Sequence, residues 1–333
     1  MLNRLLHRRS MGRAALGFLA AGLAVHRPAL AQPSTEGWPN RSVRLVVPYS
    51  PAGSSDAVGR FFAERLSTAL GQPVVVENRN GLAGTLGMDV VAKSPPDGYT
   101  VVLATANQTI NETLQPRRPH QLMRDFAPVA MLNRFPLAMA ISKELPANNA
   151  AELIAYAKAN PGRLDYASSG PGSVYHLSAE IFAKKAGITM QHVPFRNYNE
   201  ARTALMAGQI HLMFDVTISL AQLINAGLMR GIATTGTERS TLLPNLPLLS
   251  DTVAGYEASQ WNALLVPAGT PASIIARINT EVHRILVDPG AAAFQQSQGA
   301  VVTPMSPAEL TSFIRADIDE HREAIALAGV RPE

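Results

Sequence analysis

The sequence predicts an α/β protein of two hinged units, each a mainly parallel sheet flanked by helices. Three observations carry this. Strand and helix patterns alternate along the chain, the signature of βαβ units with right-handed crossovers. A length of 333 residues suits two domains. Two apolar strand runs, Pro136–Ser142 and Gln260–Pro267, pass between the units with no evident linker. Composition agrees: 47% hydrophobic and 16% charged residues support a sizeable core rather than disorder. With no cysteine there is no disulfide, zinc–thiolate site or thiol nucleophile.

The elements follow in order. Val43–Val47 reads as a strand, Pro48–Ser54 as a loop, and Val58, Phe61, Phe62, Leu66, Ala69 and Leu70 have helical spacing before Gly71 stops the helix. Val74–Val76 is a second strand, Leu86–Lys93 a helix, and Thr100–Thr105 a third strand after the turn Pro95-Pro96-Asp97-Gly98. The middle repeats the theme with helices at Ala150–Asn160, Val174–Ala186, Glu200–Ala207 and Ser219–Ala226. Strands fall between them at Leu164–Ser168, Met190–Val193, Leu212–Asp215 and Gly231–Thr234. Beyond Trp261 come an apolar strand at Ala263–Val266 and helices at Ala272–Val287 and Pro307–Leu327, which are expected to return to the first unit. The domains expected are therefore 37–137 plus 262–333, and 138–261.

Residues 1–31 read as a leader. They hold Arg4, Arg8, Arg9, Arg13 and Arg27 and no acid, then an apolar run from Ala14 to Val25 and the small-residue site Ala29-Leu30-Ala31. The run is too short to span a hydrocarbon core of about 30 Å, so a signal peptide cleaved before Gln32 is expected. Arg8-Arg9-Ser10-Met11 resembles a twin-arginine signal, and an ordinary secretory route stays open. The overall charge of +4 belongs to this segment: five of the 29 basic residues and none of the 25 acidic ones lie in it. Nothing in the remainder argues for nucleic acid.

Two strand-to-helix loops carry the candidate chemistry. The first is Pro48-Tyr49-Ser50-Pro51-Ala52-Gly53-Ser54-Ser55-Asp56, and the second is Ser168-Ser169-Gly170-Pro171-Gly172-Ser173, followed by Tyr175 and His176. Main-chain amides and a helix N-terminus favour an anion without a cationic side chain. The plain alternative for the first loop is a βα connection in which Ser54 caps the helix and Asp56 complements its dipole. Two such loops facing each other across a cleft make a better anion site than either alone. His176 stands alone, and a lone imidazole is ordinarily structural. Asp215 ends a strand; it either accepts from a ligand amine or holds a loop. No Gly-x-Ser-x-Gly, His-Glu-x-x-His or clustered metal spacing occurs, so no enzyme, metal or cofactor is expected.

At these loops the chain resembles the exported solute receptors of tripartite tricarboxylate transporters, also called Bug receptors. The resemblance runs from Trp38 to Pro332. It rests on ordered segments: Val43-Arg44-Leu45-Val46-Val47-Pro48, Gly53-Ser54-Ser55-Asp56, Gly71-Gln72-Pro73-Val74, Pro96-Asp97-Gly98-Tyr99-Thr100, Asp125-Phe126-Ala127-Pro128, Asp165-Tyr166-Ala167-Ser168-Ser169-Gly170, His192-Val193-Pro194-Phe195, Gly208-Gln209-Ile210-His211, and Pro267-Ala268-Gly269-Thr270-Pro271. It implies a type II-like periplasmic binding protein that closes on a small carboxylate or related polar solute. It also implies delivery to a membrane permease, with the protein acting as a monomer. A ligand-presenting receptor for a membrane sensor, or a periplasmic enzyme on the same scaffold, are the alternative roles. Carried over by position, Tyr49, Pro51, Ala52, Gly53, Ser54, Ser55 and Asp56 form the first ligand loop, and Thr105 and Asn107 follow the third strand. Ser169, Gly170, Pro171, Gly172, Ser173 and His176 form the second loop region, with Phe195 and Asp215 on the far wall. The chain departs from the family at Pro51-Ala52-Gly53, Arg196-Asn197-Tyr198-Asn199 and Val216, where Pro-Gly-Gly, Lys-Gly-Gly and Asn are common.

Overall fold

The structure is a computed structural model that describes residues 37–332, apart from 52–53 and 196–197. The leader, with its cleavage site, therefore lies outside the described residues, as do Ala52, Gly53, Arg196 and Asn197. The first half opens with β1 (Val43–Val47), α1 (Ser54–Leu70), β2 (Val74–Asn78), α2 (Thr85–Ala92), β3 (Thr100–Thr105), α3 (Ala106–Leu114) and the short α4 (Leu122–Asp125). Then come β4 (Phe126–Ile141), α5 (Ala150–Ala159), β5 (Asp165–Ser168), α6 (Val174–Ala186), β6 (Gln191–Pro194), α7 (Tyr198–Met206), β7 (Leu212–Val216), α8 (Thr217–Asn225) and β8 (Arg230–Thr234). The chain ends with β9 (Ser259–Pro267), α9 (Ala272–Val287), α10 (Pro289–Ser297) and α11 (Pro307–Leu327).

The strands run in the order β2-β1-β3-β9-β4-β7-β5-β6, with β8 also paired to β4. In the first half β2, β1 and β3 are parallel and β9 is antiparallel to β3. In the second half β6, β5 and β7 are parallel, while β4 is antiparallel to β7 and β8. The fold is thus the mixed α/β class the sequence predicts.

The predicted crossing at Pro136–Ser142 proves to be the second half of a longer strand. β4 pairs β9 through Phe126–Pro136 and β7 through Leu137–Ile141. A mostly apolar strand, interrupted only at Asn133-Arg134 and buried over most of its length, has no period to mark where its partner changes. The short α3 and α10 also escaped the pattern reading, since each is only 9 residues long, α3 being mostly polar and α10 mostly small residues with a single large apolar side chain.

Packing explains the layers. On one face of the first half, α1 and α9 bury Val58, Phe62 and Leu66 with Ile274, Ile278, Val282 and Ile285. Each such side chain contributes about 1.5–3 kcal/mol when fully removed from water. Gly59 lets α1 press onto β1, because a Cβ there would lie 2.8 Å from Val47 Cγ2. The opposite face belongs to a core that runs into the second half, joining Met88 and Ile110 with Leu137, Phe214, Tyr256 and Leu310. Helix α11 packs on α3 and also on α6, so it spans both halves instead of returning only to the first.

Candidate functional site

The C-terminal ends of β3 and β7 lead directly, and those of β1 and β5 through a short loop, into a helix, and α1, α3, α6 and α8 begin at a common cleft. Ligands of open α/β sheets bind outside these strand ends. Two adjoining cavities of about 520 Å3 and about 470 Å3 occupy the cleft and share Asn107, Tyr175 and Gln260. The larger meets the starts of α3 and α6; the smaller meets those of α1, α3 and α8. Among the described residues no Asp, Glu, Lys or His lines either cavity, and the one guanidinium is Arg331 in the larger.

On the first-half wall the groups over the start of α3 are neutral, and the loop before α1 is braced by an ion pair. The Tyr49 hydroxyl lies 2.6 Å from Thr105 Oγ1 and accepts from Asn107 Nδ2 at 3.3 Å. Thr105 caps α3: its Oγ1 accepts from the Asn107 N–H, while the Thr105 N–H donates to Gln108 Oε1 at 2.7 Å. Burial pushes the Tyr49 hydroxyl pKa up, so it stays protonated. Asp56 is buried and faces inward. Its carboxylate accepts from Arg60 Nε and Asn78 Nδ2, each at 2.9 Å, and Asn78 also donates to the Tyr49 carbonyl at 3.1 Å. Asp56 thereby braces the loop on which Ser54 and Ser55 face the smaller cavity. Pro51 is exposed beside them.

The second-half wall is aromatic and ionic. Ser169, Pro171, Gly172 and Ser173 line the larger cavity. Most of the loop's amides serve the loop itself: Gly170 N–H donates to Ser168 Oγ, Gly172 N–H to His176 Nδ1 at 3.0 Å, and Ser173 N–H to the Gly170 carbonyl. Of the first-turn amides of α6, that of His176 donates to Ser173 Oγ, which leaves those of Val174 and Tyr175 without an intrahelical acceptor. Gly172, at φ +73°, presses on α3 so closely that a Cβ would lie 2.2 Å from Leu114 Cδ1. His176 sits buried behind the loop, stacked 3.9 Å from His192, whose Nε2 lies 2.6 Å from Ser168 Oγ. Burial, reinforced by His192, lowers the His176 pKa to about 4. Its neutral Nδ1 is therefore the acceptor that shapes the loop.

Asp215 is fully buried and paired, with Oδ2 at 2.7 Å from Arg202 Nε and Oδ1 accepting from Val216 N–H. Tyr175 also donates to it. Burial pushes the Asp215 carboxyl up, and Arg202 pulls it back down. Of the two roles open to it in the sequence, this is the one that holds a wall together. Tyr175 stacks on Tyr198 at 4.5 Å, and the Tyr198 hydroxyl donates to the Phe214 carbonyl. Phe195 lies apart, on a separate pocket with Asn199 and Glu200.

Several lining residues had no place among the sequence-derived candidates: Gln260, Asn262, Phe294 and Gln295. A signal existed for Asn262, a lone amide in the apolar run Trp261–Pro267. Gln295 and Phe294 lie on α10, which the pattern did not predict.

A cleft that gathers helix N-termini between two α/β halves, lined by hydroxyl, amide and aromatic groups, is the architecture of a solute-binding receptor. The sequence matches the tripartite tricarboxylate transporter family receptor, TctC, over residues 58–330, and the chain belongs to that family. It is 30% identical to BugT of Bordetella pertussis over 316 residues, covering 93% of this chain and 96% of BugT. Among solved structures it resembles R. palustris Rpa4515 with adipate (33% identity, TM-score 0.72, 89% of this chain and 100% of that one). It also resembles MatC from Rhodopseudomonas palustris with bound malate (27% identity, TM-score 0.67, 86% and 99%). Among the described residues no helix is long and apolar enough to cross a membrane.

Proposed function

We propose that this receptor is exported to the periplasm, captures a small carboxylate between the two halves of its sheet, and hands it to the membrane permease of a tripartite transporter. The observation that carries the reading is the convergence of four helix N-termini on cavities that, among the described residues, no acidic side chain lines. Each N-terminus presents unpaired N–H groups and roughly half a positive charge, so together they solvate an anion without a lysine. The uncapped start of α8 adds to this, since Val216 offers no side-chain acceptor to its first turn. The adipate and malate bound by the two R. palustris proteins are the same chemistry. Ser54, Ser55, Thr105, Asn107, Ser169 and the Gly172–Tyr175 segment are the contacts we assign. Asp56, His176 and Asp215 support them from behind. Residues 37–137 with 262–333, and residues 138–261, act as the two closing lobes, hinged at β4 and β9. The ligand is bound and released unchanged.

Titration calorimetry of the chain from Gln32 onward with C4–C6 dicarboxylates tests this. One-to-one binding is expected, with the ligand recovered intact by mass spectrometry. No saturable binding of any of them, or chemical conversion of the ligand, rejects the reading.

A further inference from the structure

Three buried amides run in series from the protein interior to the wall of the smaller cavity. Gln295 Nε2 donates to the Leu132 carbonyl at 3.3 Å, Asn133 Nδ2 to Gln295 Oε1 at 2.9 Å, and Asn262 Nδ2 to Asn133 Oδ1 at 2.9 Å. All three residues are at least nine-tenths buried, and Gln295 and Asn262 line the cavity. The direction of the chain is fixed at its root. A carbonyl only accepts, so Gln295 must turn its NH2 toward Leu132 and its oxygen toward Asn133. Each following amide is then oriented in turn. The Leu132 carbonyl is available because the register of β4 against β9 shifts between Met131 and Asn133. The series ends at Asn262 Oδ1, a buried acceptor with no hydrogen-bond partner among the described residues.

We propose that Asn262 is a specificity-determining residue whose Oδ1 accepts a hydrogen bond from the solute, so that the preferred carboxylate also bears a hydroxyl. The amide cannot rotate to offer its NH2 instead without breaking the series behind it. An ammonium is a poor donor here, because among the described residues no acidic side chain lines the cavity and Asp215 is occupied by Arg202. A hydroxyl brings a neutral donor and satisfies the oxygen. A buried acceptor left unpaired is costly, so a solute lacking the donor is discriminated against.

This inference rests on the carboxylate reading above, and its test separates the two. Binding of succinate against malate, and of adipate against 2-hydroxyadipate, is measured by calorimetry with each enantiomer of the hydroxy acids. The hydroxy member of at least one pair is expected to bind at least about tenfold tighter. In Asn262→Ala that ratio falls to near one, whatever happens to overall affinity. Equal or weaker binding of the hydroxy acids by the unmodified protein overturns the role of Asn262 and leaves the carboxylate site standing. A preference retained in folded Asn262→Ala does the same. Failure of all four acids to bind overturns both. The comparison in the unmodified protein stands even where the variant does not fold.

Discussion

The two walls of the cleft reach the same end by different physics. Both set a helix N-terminus at the cavity and lock the loop before it. The first-half wall uses neutral groups over the start of α3, where Tyr49, Thr105, Asn107 and Gln108 share hydrogen bonds, and its ion pair, Asp56–Arg60, has an exposed guanidinium. The second-half wall uses an ion pair, Asp215–Arg202, and a stack of two imidazoles beneath the loop. In a neutral network, a group that keeps a second partner after one member is removed loses little, because it stays satisfied. A buried ion pair behaves otherwise: its loss strands the surviving charge. The second wall should therefore be the more fragile of the two, and the one that responds to pH.

The largest effect expected is from Asp215→Ala. It leaves the Arg202 guanidinium, only 21% exposed, without its carboxylate and removes the acceptor of the Val216 N–H. A loss of about 2–3 kcal/mol is expected, somewhat below the usual cost of breaking a fully buried pair because Arg202 reaches solvent. Urea denaturation measures it. A loss no larger than that of a first-wall variant would erase the proposed difference between the walls.

Next comes pH. The folded pKa of His176, about 4, lies below its ordinary value of 6.5. The unfolded chain thus binds the proton first as pH falls. The stability this group contributes is complete above pH 6.5, is lost between 6.5 and about 4, and changes no further below that. From pH 7 to pH 4.5 the loss is on the order of 2 kcal/mol. His176→Gln keeps an acceptor for the Gly172 N–H but does not titrate, so the gap in stability between it and the unmodified protein should narrow across this window. A gap independent of pH would show that the imidazole is not held neutral by the fold.

The smallest effect is on the neutral wall. Thr105→Ala removes the cap of α3 while Gln108 and Asn107 still serve the Tyr49 hydroxyl. It should cost about 1 kcal/mol with no change between pH 7 and pH 4.5. A pH-dependent loss in that variant would mean the two walls are coupled through the cleft.

Local periodicity made most of this protein legible. Val43–Val47, Thr100–Thr105, Val174–Ala186, Ala272–Val287 and Pro307–Leu327 are observed with the bounds read from the sequence, because the spacing of apolar residues and the capping signals are properties of neighbours in the chain. The loops that open on the cleft were legible for the same reason, since polar, glycine-containing turns after strands mark themselves. Partner choice was another matter. That β4 serves both halves, that α11 touches both, that Asp215 is held by Arg202, and that His176 stacks on His192 depend on which residues the fold brings together. The amide series is the clearest case. Asn133 and Gln295 are 162 positions apart, Asn133 and Asn262 129 apart, and one of the helices involved gave no pattern. Sequence marked the polar, cation-poor loops; only the tertiary structure decided which oxygens were already spent on the protein and which one, Asn262 Oδ1, was left without a partner among the described residues, because a hydrogen-bonding group's remaining valence depends on all its neighbours in space.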